Sequence, residues 1–290
     1  MNKNMIDELV CASPNRRSFL RTVGVATAAA GTLALTGATP ALAETVTELD
    51  ILNFALNLEY LEAEFYTYAV TGKSITSFGL GIDGRASGSN PAAGGTTVGG
   101  SQVTFSDNEI FSRDIAAEIG TDERAHVALL RSALGSSAVA KPNINLNALG
   151  FGFKSQNDFL RAARILEDIG VTAYSGAAGL LKTPGIVTTA ARLLAAEAEH
   201  VGSIRTQVAR LKIPTAAVDG ADLIPPPSGK GQYLSINLSN GLPATRTAGQ
   251  VLFLAFGMKA GVTRGGFFPT GLNGTITSST EPATESNLAT

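Results

Sequence analysis

The sequence has little of several residue types from which functional sites are commonly built. Its 290 residues include one cysteine, two histidines and no tryptophan. Charged residues make up 16% of the chain and the formal net charge is −2, so the charge balance gives no reason to expect nucleic acid or an anionic membrane as a partner. The hydrophobic fraction of 44% instead indicates a folded protein with a sizeable core.

The first 43 residues are typical of an export signal. In the stretch NRRSFLR, the pair Arg16 and Arg17 precedes an apolar run that ends in the small-residue sequence ALA. The arginine pair resembles the twin-arginine type, which exports folded proteins across the bacterial membrane. We therefore predict a twin-arginine signal peptide over 1–43, cleaved after Ala43, and a periplasmic or extracellular protein with no membrane contact after cleavage. The alternative is a retained membrane anchor, but glycine, threonine and proline interrupt the run.

Cleavage after Ala43 would also remove Cys11, the one cysteine. A mature chain without cysteine has neither disulfides nor thiolate ligands. A metal site in it would have to be built from glutamate, aspartate and histidine.

Four segments of the remaining chain repeat apolar residues every three or four positions, which is the spacing of amphipathic helices. Ser106 to Glu109 has the spacing of a capping box, Pro184 stands at a first helical position, and Pro214 ends the last pattern. The predicted helices cover about 47–70, 106–134, 155–181 and 183–213. We therefore predict an all-α four-helix bundle over 44–213, with a crossover that keeps the second and third helices parallel.

Regions outside these helices have the composition of loops. A Gly/Ser/Thr-rich insert, from Gly72 to Gly100, separates the first two helices. Residues 214–274 are predicted to form a loop-rich C-terminal extension, with a short strand in QYLSINL, a short helix in TAGQVLFLAFGM and a tight aromatic loop in GGFFPTGLNG. The Ser/Thr/Glu-rich residues 275–290 are expected to be disordered.

Both histidines follow a glutamate by three residues, in Glu123-x-x-His126 and Glu197-x-x-His200. One exposed pair with this spacing is common on a solvated helix face. Here each glutamate stands four residues from apolar neighbours on both sides, which places it on the buried stripe of its helix. Two such pairs favour one metal site assembled from two helices over two solvated faces.

The first and third helices each place one carboxylate on an apolar stripe. Glu59 and Glu167 each have a tyrosine seven residues later, Tyr66 and Tyr174, and Glu62 is an alternative to Glu59. Burying four unpaired carboxylates costs several kcal/mol each, whereas two divalent cations would balance their charge. An oxygen-rich set with two histidines suits iron or manganese. The glutamates that fall off the stripes are expected to be solvated: Glu64, Glu118 and Glu199.

The order of these residues resembles that of the ferritin-like di-iron and di-manganese carboxylate proteins over about residues 47–212. The export signal, the Gly-rich insert and the tail are more particularly similar to bacterial ferritin-like-domain proteins related to plant desiccation-related proteins. The resemblance implies a ferritin-like four-helix bundle that binds two iron or manganese ions per chain. The implied ligands are Glu59, Glu123, His126, Glu167, Glu197 and His200.

The resemblance also implies residues around the ligands. Asp122 would hydrogen-bond His200 and fix its tautomer, whereas Ala196 stands at the corresponding place before Glu197. His126 would then be held by a backbone carbonyl or by water. Tyr66 and Tyr174 are candidate redox partners beside the metals, with ordinary core tyrosines as the alternative.

Three functions are compatible with such a centre. The leading hypothesis is redox chemistry with oxygen or peroxide, as an oxidase- or peroxidase-like stress-protection protein. The alternative is a non-enzymatic stress- or desiccation-related protein in which the metal is structural. Iron storage is disfavoured because the insert and tail would hinder a closed shell. Fold resemblance does not decide among these, and oligomeric state stays open.

Overall fold

The computed structural model describes residues 46–86, 90–106, 110–229 and 232–284. The predicted signal peptide lies outside these ranges. Within them the structure has four long α-helices and one short one. They are α1 (Glu48–Thr71), α2 (Ile110–Leu134), α3 (Gln156–Ala178), α4 (Pro184–Arg210) and α5 (Ala248–Ala255). The predicted all-α bundle is confirmed.

The helix boundaries follow local signals in the sequence. Thr47 and Asp50 form a capping box at the start of α1. The Ser155 side chain accepts a backbone hydrogen bond at the start of α3, close to where the sequence predicted it. The predicted capping box before α2 includes residues 107–109, which lie outside the described part of the chain. Helix α3 ends at Ala178, three residues earlier than predicted, because the next residue is a C-capping glycine.

The four long helices pack as two pairs, α1 with α2 and α3 with α4. In the first pair, Arg131 donates a hydrogen bond to Tyr60 at 2.5 Å and Arg124 donates one to Thr67 at 3.0 Å, so the chains run in opposite directions. Contacts at the candidate metal centre, described below, show that α1 and α3 are also antiparallel. Helices α2 and α3 are therefore parallel across the crossover, as predicted.

The Gly-rich insert packs against this crossover. Strands β1 (Gly84–Arg85) and β2 (Pro91–Ala92) pair antiparallel, and β3 (Thr97–Val98) pairs in parallel with β4 (Ile144–Asn145) of the crossover. A Cβ at Gly95 would lie 2.4 Å from a backbone nitrogen of the crossover. Glycine is thus needed where the two backbones approach each other.

Glu64 is not solvated, contrary to the expectation from its position off the apolar stripe. Its side chain is fully buried, and its carboxylate lies 3.1 Å from the ammonium group of Lys141. It also accepts a hydrogen bond from Thr97 at 2.9 Å. The expectation was wrong because the insert and the crossover cover the polar side of α1 and supply the partners that a buried carboxylate needs. Glu118 and Glu199 are exposed, as expected.

A buried ion-pair network anchors the C-terminal extension to the bundle. Arg205 of α4 donates a hydrogen bond to Asp168 of α3 at 2.7 Å and another to the carbonyl oxygen of Leu223 in the extension at 2.6 Å. Arg164 of α3 lies 2.7 Å from the carboxylate of Asp222. Both arginine side chains are almost completely buried. The extension is therefore attached through charged groups that have lost contact with water.

The rest of the extension contains the expected elements in short form. Strand β5 (Ile236–Asn237) lies within QYLSINL and pairs with β6 (Leu242–Pro243), and α5 lies within TAGQVLFLAFGM. The disorder expected from residue 275 onward is not what the structure has for 275–284. Ser279 and Ala283 are buried there because this segment lies against the extension. No helix among the described residues is long and apolar enough to cross a membrane.

Candidate metal centre

The four long helices bring one glutamate each to the middle of the bundle. Glu59 is 1% exposed, and Glu123, Glu167 and Glu197 are fully buried. The two histidines beside them are buried as well. The spacing that placed each glutamate on an apolar stripe thus places all four in one desolvated cluster.

The potential ligand atoms of these residues form two overlapping groups. In each group, one atom from every residue lies within 4.8 Å of the others. The groups are Glu59, Glu123, His126 and Glu197, and Glu123, Glu167, Glu197 and His200. Glu123 and Glu197 belong to both, whereas each group has a histidine and a glutamate of its own. The six residues proposed from the sequence are all brought together.

Histidine contacts follow the same two-sided arrangement. The Nδ1 atom of His126 lies 3.2 Å from Glu59 and 3.5 Å from Oε2 of Glu123. The Nδ1 atom of His200 lies 3.1 Å from Oε1 of Glu123 and 3.3 Å from Glu167. The two oxygens of Glu123 therefore face different histidines, as expected for a carboxylate shared between two sites.

The other nitrogens of the two imidazoles have different surroundings. The Nε2 atom of His200 lies 3.4 Å from the carboxylate of Asp122, which is the contact predicted from the sequence. A carboxylate here favours a proton on Nε2, which leaves the Nδ1 lone pair directed at the cluster. Ala196 stands where the fourth helix would need a matching acid, and His126 Nε2 has no hydrogen bond to the described residues. The centre is thus asymmetric in its outer contacts.

Buried polar atoms without partners are concentrated at this centre. They include both carboxylate oxygens of Glu123, Glu167 and Glu197 and the Nδ1 atom of His200, none of which has a hydrogen-bond partner among the described residues. Burying such atoms unpaired is costly, and native structures keep few of them. Carboxylate oxygen with imidazole nitrogen is a donor set that iron and manganese bind. The residues present therefore fit divalent metal ions.

Without metal, crowding of the carboxylates changes their protonation. Burial and the nearby charge of Glu59 raise the pKa of Glu123 to about 7, despite the contacts with both histidines. Burial and then Glu123 raise the pKa of Glu197 well above its usual range. Burial alone would lower the pKa of His126, but the neighbouring glutamates outweigh it and raise the pKa to about 10. The same balance raises the pKa of His200 to about 12. In the metal-free protein, bound protons thus compensate part of the carboxylate charge that metal cations would otherwise balance.

Each of the two tyrosines, Tyr66 of α1 and Tyr174 of α3, lies close to the central glutamate of the other helix. The Tyr174 hydroxyl of α3 donates a hydrogen bond to Glu59 of α1. The Tyr66 hydroxyl of α1 is buried near Glu167 of α3 and has no hydrogen-bond partner among the described residues. Burial, followed by the adjacent glutamate in each case, raises the pKa of both hydroxyls. The crossed contacts show that α1 and α3 are antiparallel, and both hydroxyls keep their protons at neutral pH.

Glu62 lies at the centre in addition to Glu59, rather than instead of it. Its side chain is 5% exposed, and burial and the neighbouring glutamates raise its pKa well above the usual range. The matching position on α3, three residues after Glu167, is Gly170. A Cβ there would lie 2.4 Å from Oε2 of Glu197 and 3.4 Å from Oε1 of Glu62. Aligning the two helix pairs with each other would have revealed this exchange of glutamate for glycine.

Comparison with known proteins agrees with this geometry. A family model described as a ferritin-like domain matches residues 47–210, a range that includes all four long helices and both ligand groups. This chain belongs to the ferritin-like domain family. Within the curated proteins, it is similar to the desiccation-related protein PCC13-62 of Craterostigma plantagineum, with 29% identity over 175 residues. The match covers 54% of this chain and 52% of that protein, so this ferritin-like chain spans about half the length of the relative.

Proposed function

We propose that this ferritin-like protein binds two iron or manganese ions and uses them in redox chemistry with dioxygen or hydrogen peroxide. The observation that carries the proposal is that Glu123 and Glu197 belong to both ligand groups, while each group adds its own glutamate and histidine. Each ion would then have three carboxylates and one imidazole available to it. Ions held by these residues would supply the electrons that reduce the oxidant.

The chain itself holds the ligands and excludes water. Asp122 orients His200, and the Tyr174 hydroxyl orients Glu59 by donating a hydrogen bond to it. The unpartnered Tyr66 hydroxyl lies near Glu167 and can donate a proton in the same region. These contacts support the proposed roles of both tyrosines beside the metals, because each is close to a glutamate that serves only one group.

Metal content is the first test of this proposal. Protein loaded anaerobically should hold about two iron or manganese ions per chain. The double variant Glu123→Gln, Glu197→Gln keeps the side-chain volumes and should lose most of the metal. The matched control is Glu118→Gln, Glu199→Gln, which changes exposed glutamates on the same two helices and should bind as the wild type does. A wild-type content below a tenth of the expected value would contradict the site.

Redox chemistry is tested separately from binding. We expect stopped-flow mixing of the ferrous protein with dioxygen or hydrogen peroxide to show oxidation that the Glu123→Gln, Glu197→Gln variant lacks. A second candidate function is structural, since metal would relieve the burial of unpaired carboxylate oxygens and so stabilise the bundle. It would be favoured by metal that raises thermal stability yet oxidises no faster than free ferrous ion. The similarity to a desiccation-related protein is compatible with either function.

We also propose that this protein is exported in folded form to the periplasm or outside the cell. The Arg16-Arg17 pair before an apolar run supports this assignment. Replacing both arginines with lysine should leave the precursor in the cytoplasm, as measured by fractionation. Undiminished export of the double-lysine variant would contradict the twin-arginine route.

A further inference from the structure

Two cavities lie between α1 and α3, on either side of Glu62. Their volumes are about 40 Å³ and 30 Å³. Leu58, Glu62 and Gly170 line both. The two helices pack closely on their hairpin partners and only sparsely on each other. Because α1 and α3 pack sparsely on each other, a narrow gap remains between the two helix pairs, and the two cavities lie in this opening.

The walls of this opening are almost entirely apolar. Among the described residues that line the larger cavity, Glu62 is the one charged residue, and α5 and Phe267 of the C-terminal extension contribute apolar side chains. The smaller cavity reaches Glu59, Glu62 and Tyr174, and its other lining residues carry apolar side chains or are glycine. Each cavity thus leads from apolar surroundings to carboxylates at the candidate metal centre.

Gly170 keeps the opening continuous with the centre. A side chain at this position would enter the space between Glu62 and Glu197, as the short distances from a hypothetical Cβ show. Glu62 accepts no hydrogen bond from the described residues, although it is 95% buried. An unpartnered carboxylate beside a glycine therefore stands where the two cavities meet the ligands.

We infer that the two cavities form a binding site for small, uncharged, apolar molecules, and that dioxygen reaches the metal centre through it. The identity of dioxygen rests on the proposed redox function, whereas the binding of an apolar molecule does not. An apolar wall offers no hydrogen bonds to a molecule that enters. Hydrogen peroxide would therefore lose its hydrogen bonds to water without replacement, whereas dioxygen is apolar and pays no such cost. Apolar cavities in proteins can bind xenon, which serves as the probe.

Xenon binding tests the site without any redox step. Crystals of the metal-free and metal-loaded protein, placed under xenon pressure, should show xenon beside Leu58 in both forms. Leu58→Trp fills the space shared by the two cavities and should remove this xenon. Leu49→Trp is the matched control, because Leu49 is on the same helix and 47% exposed, and it should leave xenon in place. No xenon in the wild-type cavities would overturn the inference.

Oxidation kinetics test the route. With metal content verified, Leu58→Trp should slow oxidation of the ferrous protein by dioxygen at least about fivefold and leave oxidation by hydrogen peroxide unchanged. Leu58→Ala enlarges the opening and should bind xenon and oxidise with dioxygen at least as fast as the wild type, which keeps the test available if the tryptophan variant does not fold. Equal slowing with both oxidants, or no slowing despite loss of xenon, would overturn the route. Xenon binding in a protein that does not oxidise would instead reject the redox function and keep the apolar site.

Discussion

Replacing Gly170 with alanine would place a methyl group beside a carboxylate that belongs to both ligand groups. The new Cβ would lie 2.4 Å from Oε2 of Glu197, roughly 1 Å inside the ordinary contact distance. The contacted atom is the end of a flexible side chain, so Glu197 can rotate away from the methyl group. The bundle should therefore tolerate the substitution, but the shared carboxylate of Glu197 should move away from its position in the two ligand groups.

The two effects differ in size. Alanine in a helix interior is favoured over glycine by about 0.5–1 kcal/mol, and overpacking a core costs about 1–3 kcal/mol when nothing can move. Because Glu197 can move, we expect the unfolding free energy of the metal-free variant to stay within about 1 kcal/mol of the wild type. Loss of one well-placed group around a metal weakens binding by about 10–100-fold. Since Glu197 serves both groups, both ions should bind at least about tenfold more weakly.

Gly202 on α4 provides the control for Gly170→Ala. Among the described residues, no atom outside its own helix backbone lies within 4 Å of a Cβ added there. Gly202→Ala should therefore raise the unfolding free energy by about 0.5–1 kcal/mol and bind metal as the wild type does. Urea denaturation of the metal-free proteins and chelator competition with the loaded ones give the two quantities. Unchanged metal affinity in Gly170→Ala would refute the assignment of Glu197 as a shared ligand.

Three further predictions follow from other contacts. The raised pKa values of His126 and His200 mean that both imidazoles are protonated at pH 7 in the metal-free protein. Metal must displace these protons, so metal affinity should rise with pH. Chelator competition at several pH values measures the affinity, and an affinity that does not change with pH would contradict the prediction. Arg205→Ala removes the partner of a buried carboxylate and should lower the unfolding free energy, measured by urea denaturation, by about 3–5 kcal/mol. The control Arg192→Ala changes an exposed residue on the same helix and should lower it by about 0.5 kcal/mol. Equal losses of unfolding free energy in the two variants would count against the ion-pair network. Tyr174→Phe deletes the hydrogen bond to a glutamate of one group only, and should weaken one of the two metal-binding steps by about tenfold in a calorimetric titration while leaving the other unchanged.

The bundle and the centre could be predicted from the sequence because both depend on periodicity within single helices. Spacing of four residues between Glu197 and its apolar neighbours places the carboxylate on the buried side whatever the neighbouring helix is. The capping side chain of Ser155 and the proline at the first position of α4, Pro184, mark helix starts, since both signals act within a few residues of chain. The histidine contacts then followed from having two glutamate–histidine helices facing one another.

What escaped prediction depends on segments far apart in the chain. Glu64 is off the stripe of α1, and its burial comes from Lys141 in the crossover and from the insert, which no periodicity within α1 can show. The sequence offers Glu62 only as an alternative to Glu59, because the apolar stripe of one helix does not show how many acidic side chains the centre holds. Its place is explained by Gly170 on another helix, where the absence of a side chain leaves the room.

The ion-pair network between the bundle and the C-terminal extension bears on where the independently folding unit ends. The family match stops at residue 210, and composition divides the chain at 213. A chain cut there would retain Arg164 and Arg205 but lose Asp222 and the carbonyl groups that these buried guanidinium groups contact. Each uncompensated buried charge costs several kcal/mol, against a total stability of about 5–15 kcal/mol for an ordinary domain. The bundle and residues 214–229 and 232–234 should thus unfold as one cooperative unit, and the end of the family match marks a limit of sequence similarity rather than a point where the polypeptide can be divided.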